Sequence, residues 1–134
     1  MKKKNIFPII LFYFLPLVFW MGLIFYFSSL SGNPESHYNL RIYLERKGAH
    51  IFEYFLLFLL AFRLFRCGLQ RDKTNSYHWA FLLAWLFAFS DEIHQLFVPG
   101  REGVLQDVAF DIFGILFAFL FLRAVTFFRN RCRF

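Results

Sequence analysis

Apolar residues run without a charge from Ile6 to Phe27. That stretch is long enough to cross the ~30 Å hydrocarbon core of a bilayer as one helix. It exceeds the roughly 7–15 residues of a signal-peptide core and no A-x-A site follows, so it reads as a retained helix although Lys2, Lys3 and Lys4 precede it. Three further stretches, Lys47–Phe65, Tyr77–Val98 and Gly103–Leu122, are apolar along most of their length but polar at one end. The pattern predicts an all-α protein. It is a four-helix transmembrane bundle with helices near 6–27, 47–65, 77–98 and 103–122, in a single domain over residues 1–134.

The polar ends alternate along the chain. Helix 1 ends in Ser28 and Ser29, and helix 2 starts with Lys47, His50 and Glu53. Helix 3 ends in Ser90, Asp91, Glu92, His94 and Gln95, and helix 4 starts with Gln106, Asp107 and Asp111. An up-and-down topology brings all four ends to one side. At 1.5 Å per residue, Asp111 lies roughly 12 Å along helix 4, and Glu53 and Asp91 reach roughly 9–11 Å. The expected object is a polar pocket that opens at one face and closes about halfway through the bilayer.

Helical spacing gives each helix one inward face. Lys47, His50 and Tyr54 follow i, i+3, i+7, and Asp91, His94 and Gln95 follow i, i+3, i+4. Asp107 and Asp111 are i, i+4, and their stripe continues through Gly114 and Ala118, small residues that let helices approach closely in lipid. Between helices 3 and 4 the link "FVPGREG" carries a Pro99-Gly100 turn signal and holds Arg101 over the expected pocket mouth. The longer link after helix 1 is turn-rich around Gly32-Asn33-Pro34.

Composition agrees with a membrane protein. The chain is 59% hydrophobic and 24% aromatic, with 23 Phe in 134 residues, more apolar surface than a soluble domain of this size can hide. The net charge of +6 raises the question of nucleic acid, but its distribution answers otherwise. Basic residues crowd Lys2–Lys4, Arg63–Lys73 and Arg123–Arg133. In the alternating topology one side holds 11 basic residues against Asp72 alone, and the other holds four against eight acids. That asymmetry places both termini in the cytoplasm, with the basic side touching anionic lipid and no nucleic-acid partner expected. Cys67 and Cys132 fall on that reducing side and suggest neither a disulfide framework nor metal-ligand spacing.

Carboxylates in an apolar setting are costly unless paired, hydrogen-bonded or reached by water. Each polar residue alone has an ordinary explanation. Lys47 and Arg101 can snorkel to headgroup phosphate, His50 can be a satisfied interior histidine, Ser28 and Ser29 can end a helix, and Glu92 lies beside Asp91 but off its stripe. The convergence of Glu53, Asp91, Asp107 and Asp111 from three helices is what points to a site, with His50 beside them. These five are the candidate catalytic residues. Lys47, Arg101, Glu92, His94, Gln95, Ser28 and Ser29 are candidate substrate contacts. His50, Glu53, Asp91 and Asp107 could hold a divalent metal, although no H-E-x-x-H motif is present. Crowded carboxylates can also keep one member neutral as an acid or proton carrier.

The motifs resemble those of the VanZ-like family of small bacterial membrane proteins. The matching stretches are "YFSS" at Tyr26–Ser29, "KGAHIFEYFLL" at Lys47–Leu57, "SDEIHQLFVPGR" at Ser90–Arg101 and "DVAFDIFG" at Asp107–Gly114. The family pattern is roughly K-x-x-H-x-x-E-Y, then D-E-x-x-Q-x-F-x-P-G-R, then D-x-x-x-N/D-x-x-G. This sequence departs from it with Asp111, where many relatives carry Asn, and Ala118, where a second Gly is frequent. The resemblance implies a bacterial cell-membrane location, an envelope role, and an association with tolerance to teicoplanin, a lipid-bearing glycopeptide. The expected partner is an envelope lipid or lipid-linked precursor whose headgroup the pocket binds or modifies. The alternatives are a non-enzymatic binding or scaffolding module and, disfavoured by four helices without visible repeats, a proton-coupled transporter.

Overall fold

The computed structural model describes residues 6–31, 40–100 and 105–131. Among them the regular structure is entirely helical. Four helices follow one another: α1 (Phe7–Ser28), α2 (Leu40–Gly68), α3 (Lys73–Gln95) and α4 (Leu105–Arg131). The turn expected around Gly32-Asn33-Pro34, together with Arg101, Glu102 and Cys132, lies outside the described residues.

The helices differ from the expected spans mainly at their ends. α2 begins at Leu40, seven positions before Lys47. Arg41, Glu45 and Arg46 do not interrupt it, because charges on an exposed helical turn are tolerated, and Arg41 Nε donates to Glu45 Oε1 at 2.9 Å across one turn. α3 starts at Lys73 because Asp72 caps it, accepting the backbone N–H of Asn75 at 3.0 Å. Asn75's backbone and side-chain amides hold the Asp72 carboxyl below the ordinary carboxylate range. α4 continues past Leu122 to Arg131.

Two wide turns were invisible to the pattern. In α1 the Leu15 N–H donates to Ile10 O, five residues back, as the helix passes through a π turn over Ile10–Phe14. Pro16 follows, with no N–H to continue the regular ladder. α2 ends in a second π turn, Leu64–Gly68, where Leu69 N–H donates to Leu64 O at 2.8 Å. Gln70 then takes a left-handed conformation, φ 55°, that is usually glycine's. Gly100, in the expected Pro99-Gly100 turn, has φ 74°.

The apolar core is a seam along each helix. It comprises Leu17 and Ile24 of α1, Tyr54, Leu57, Phe58 and Ala61 of α2, Ala80, Ala84 and Ala88 of α3, and Ile115 and Ala118 of α4. The alanines of α3 recur at i, i+4 and are fully buried, which draws its backbone against its neighbours. Gly114 is the tightest point: a β-carbon there would overlap the backbone carbonyl of Ile51, so α4 crosses α2 with nothing between the two main chains. Outward faces are apolar instead of polar. Phe7, Phe19, Phe97, Phe117 and Phe128 are each more than 60% exposed, a surface suited to lipid tails.

Three helices are long and apolar enough to cross a membrane: Phe7–Ser28, Leu40–Gly68 and the Asp107–Arg129 part of α4. α3, expected as a fourth, is not among them. Tyr77, His78, Trp79 and Trp85, with the polar run Ser90–Gln95, lower its hydropathy.

The contacts pair the helix ends in two groups. Ser28, Lys47, His50, Asp91, Asp107 and Asp111 interact at one end. At the other, Arg63 lies 5.1 Å from the Tyr13 ring centroid and Phe62 stacks on Tyr77 at 4.5 Å.

Candidate functional site

The polar cluster is the continuation of the buried seams. On α3 the alanine stripe Ala80, Ala84, Ala88 runs on to Asp91 and Gln95, both buried. On α4, Ala118 and Ile115 lead to Asp111, and on α2, Phe58 and Tyr54 lead to His50. Each inward face therefore changes from apolar to ionisable at the same end of the bundle.

Two rungs join α2 to α4. Lys47 Nζ forms an ion pair with Asp107 Oδ1 and lies over the rings of Tyr43 and Phe110, 5.2 and 5.1 Å from their centroids. One turn deeper, His50 Nδ1 pairs with Asp111 Oδ1 at 3.0 Å. The i, i+3 spacing on α2 and the i, i+4 spacing on α4 match because each advances about one helical turn, so two bases meet two acids in register. Asp107 and Asp111 thus do not face each other unaided, as the sequence pattern alone suggested: each has its own partner. Lys47, a candidate substrate contact, is engaged by Asp107.

A third set joins α1 to α3. The Ser28 hydroxyl donates to Asp91 Oδ1 at 2.5 Å, and Gln95 Nε2 donates to Asp91 Oδ2 at 3.0 Å. Asp91 is fully buried with both oxygens satisfied, the condition under which a buried carboxylate is tolerated. Ser29 Oγ pairs with His94 Nε2 at 2.8 Å on the exposed rim.

Other polar atoms in the cluster are not satisfied. Both oxygens of Glu92, Asp111 Oδ2 and the Tyr54 hydroxyl are buried without a hydrogen-bond partner among the described residues. Glu92, which off-stripe spacing would turn toward the interface, is 6% exposed. Leaving a buried donor or acceptor unpaired costs about 1–3 kcal/mol, more when it is charged.

Beside the cluster a cavity of about 380 Å³ opens between the end of α1 and the first half of α2. Phe27 and Leu30 supply apolar wall, and Ser28, Arg46, His50 and Glu53 supply polar wall. Glu53 is half-buried there, and its carbonyl accepts the Trp20 indole N–H at 2.9 Å. Arg46 was missed as a site residue. It shares an i, i+4, i+7 stripe with His50 and Glu53, but the expected start of the helix at Lys47 put it outside.

The structure thus gathers Ser28, Lys47, His50, Asp91, Glu92, Gln95, Asp107 and Asp111, with Glu53 on the cavity wall and Ser29 and His94 at the rim. Arg101 lies outside the described residues. Among the described residues no three of His, Cys, Asp and Glu come together as a metal-binding group, so the set His50, Glu53, Asp91 and Asp107 is not drawn together as ligands.

Long apolar helices, lipid-suited outer faces and buried ionisable seams define a multi-pass membrane protein. Its family follows from the comparison with known proteins: the VanZ/LLP1 family model matches residues 12–128, and the chain belongs to that family. No curated protein and no solved structure matches it.

Proposed function

We propose that the chain crosses the bacterial cell membrane four times as an up-and-down bundle, with both termini cytoplasmic, and that its carboxylate end faces outward. There it receives the headgroup of an anionic envelope lipid or lipid-linked precursor through the opening between α1 and α2. For α3 as a fourth span, the support is its exposed Phe81, Leu82, Leu86 and Ile93, which would meet lipid. For the orientation, the support is the excess of basic residues at the other end.

One observation carries the ligand reading. Glu92, Asp111 and Tyr54 present buried polar atoms without partners among the described residues, and His50, which holds Asp111, stands in the cavity wall with Arg46 and Glu53. A fold that needed only stability would have little use for that cost. A headgroup rich in hydroxyl and phosphate groups offers both donors and acceptors. Arg46 supplies a planar fork suited to phosphate, and Phe27 and Leu30 meet the chain that follows it. Binding is the primary act. If the bound group is also modified, Glu92 is the acid–base group, since Asp91 is engaged by Gln95 and Ser28, Asp107 by Lys47 and Asp111 Oδ1 by His50.

The test is tolerance to teicoplanin in cells carrying Arg46→Gln, Glu92→Gln or Glu53→Gln at matched membrane levels. All three should lose the phenotype while remaining inserted. If all three keep it, the headgroup reading fails. Incubating purified protein with extracted envelope lipid then separates a binder from an enzyme, because only an enzyme changes the lipid's mass.

A further inference from the structure

A second cavity, of about 420 Å³, lies at the opposite end of the bundle between α3 and α4. Its size falls within the roughly 300–1,000 Å³ of small-molecule sites. Lys73, His78 and Arg123 line it with Phe58, Phe81 and Leu116, and no Asp or Glu does so among the described residues. The first cavity, by contrast, has Glu53 in its wall.

The two cations are held in a particular way. Lys73 Nζ lies 6.0 Å from the ring centroid of Tyr77, and the Arg123 guanidinium lies 5.9 Å from that of Phe119. Tyr77 and Phe119 are themselves in edge contact at 5.1 Å. A cation from each helix therefore stands over one shared aromatic pair. Neither cation forms an ion pair among the described residues. Asp72, next to Lys73 in the chain, is engaged by Asn75 as the helix cap. The floor is apolar, and Phe81 and Leu116, 41% and 44% exposed, carry the cavity out to the lipid-facing surface.

We propose that this cavity binds the phosphodiester headgroup of an anionic glycerophospholipid from the leaflet at the basic end. Lys73 and Arg123 take the phosphate between them, and the acyl chains leave over Phe81 and Leu116. Charge complementarity selects an anion, and the continuous apolar exit selects a lipid over a soluble phosphate. The inference needs the chain to be in a membrane. It does not depend on the ligand or the orientation proposed for the first cavity.

The experiment uses full-length protein reconstituted in vesicles of equimolar phosphatidylglycerol and phosphatidylcholine, extracted in mild detergent, with retained lipids counted by native mass spectrometry. The wild type should retain phosphatidylglycerol over phosphatidylcholine by roughly ten- to thirty-fold, the effect of two cations at a membrane surface. The double variant Lys73→Gln, Arg123→Gln should lose most of that preference, and Arg123→Lys should keep part of it. Circular dichroism establishes that each variant is folded. A wild type without preference overturns the proposal, as does a double variant that, still folded, retains the full preference. Displacement of the lipid by inorganic phosphate as readily as by added phosphatidylglycerol assigns the site to free phosphate and likewise overturns it.

Discussion

Replacing Asp111 by Leu probes the deeper rung between α2 and α4. Asp111 is fully buried, and its Oδ1 is the partner of His50 Nδ1 at 3.0 Å. Leu fills the space but leaves a buried imidazole nitrogen unpaired, at a cost of about 1–3 kcal/mol. Severing a buried ion pair in a soluble protein costs about 3–5 kcal/mol. That figure is too large here, because a membrane protein unfolded within the bilayer still finds partners, and interhelical hydrogen bonds average about 0.6 and reach about 1.7 kcal/mol. Asp111→Leu should therefore destabilise by about 2 kcal/mol. Asp111→Asn keeps an oxygen for His50 and should lose less than about 1 kcal/mol. It should also keep most of the phenotype, because the amide still accepts from His50, while Leu should not. The assay is reversible unfolding in mixed micelles of rising sodium dodecyl sulfate content, followed by circular dichroism, for each variant alone and combined with His50→Leu. The double-mutant cycle should return a coupling of about 0.6–1.7 kcal/mol. A coupling of zero, or an Asn variant as damaged as the Leu variant, would refute the claim that this contact carries the rung.

The upper rung makes a different prediction: Asp107→Asn should abolish the phenotype, and exchanging the pair, Lys47→Asp with Asp107→Lys, should restore insertion and part of the activity if the contact is electrostatic; an exchange no better than the single variant argues for a role tied to one carboxylate. Gly114→Ala should destabilise by about 1–3 kcal/mol, because its new β-carbon meets the rigid backbone of Ile51, whereas Gly48→Ala, with nothing within 4 Å, should be neutral or gain up to about 1 kcal/mol in the same unfolding assay. Cys67 is exposed at the basic end, so it should resist a membrane-impermeant thiol reagent in intact cells and react after permeabilisation; labelling from outside would reverse the orientation.

Much of the polar end was legible because the apolar stripes of α2, α3 and α4 each stop at the same side, and spacing alone put Lys47 with His50 and Asp107 with Asp111. The pairing between those stripes was not legible. It depends on the register of two helices that run in the same direction, α2 and α4, which Gly114 sets through a backbone contact that no local pattern encodes. Glu92 lies off the stripe of Asp91 yet is buried with it, because a helical face is an arc of 100° or more, wide enough to bury such neighbours together. Arg46 was missed because a charge was taken as the helix start, although α2 continues for almost two turns beyond it. The π turn ahead of Pro16 reflects a missing donor whose effect spreads over a turn and leaves hydropathy unchanged. α3 reads as a weaker span because its aromatic and polar residues count against it in an average, whichever way they face.

The central claim is that the carboxylate end with its Arg46–His50–Glu53 cavity holds an anionic lipid headgroup. The most direct measurement is mass spectrometry of lipids that remain with protein purified from its native membrane in mild detergent, compared with the bulk membrane. The account predicts one anionic or lipid-linked species enriched near one per protein in the wild type, and lost in both Arg46→Gln and Glu92→Gln while the Lys73→Gln, Arg123→Gln variant keeps it. A lipid profile equal to that of the bulk membrane, or an enriched profile left unchanged by Arg46→Gln and Glu92→Gln, would contradict it.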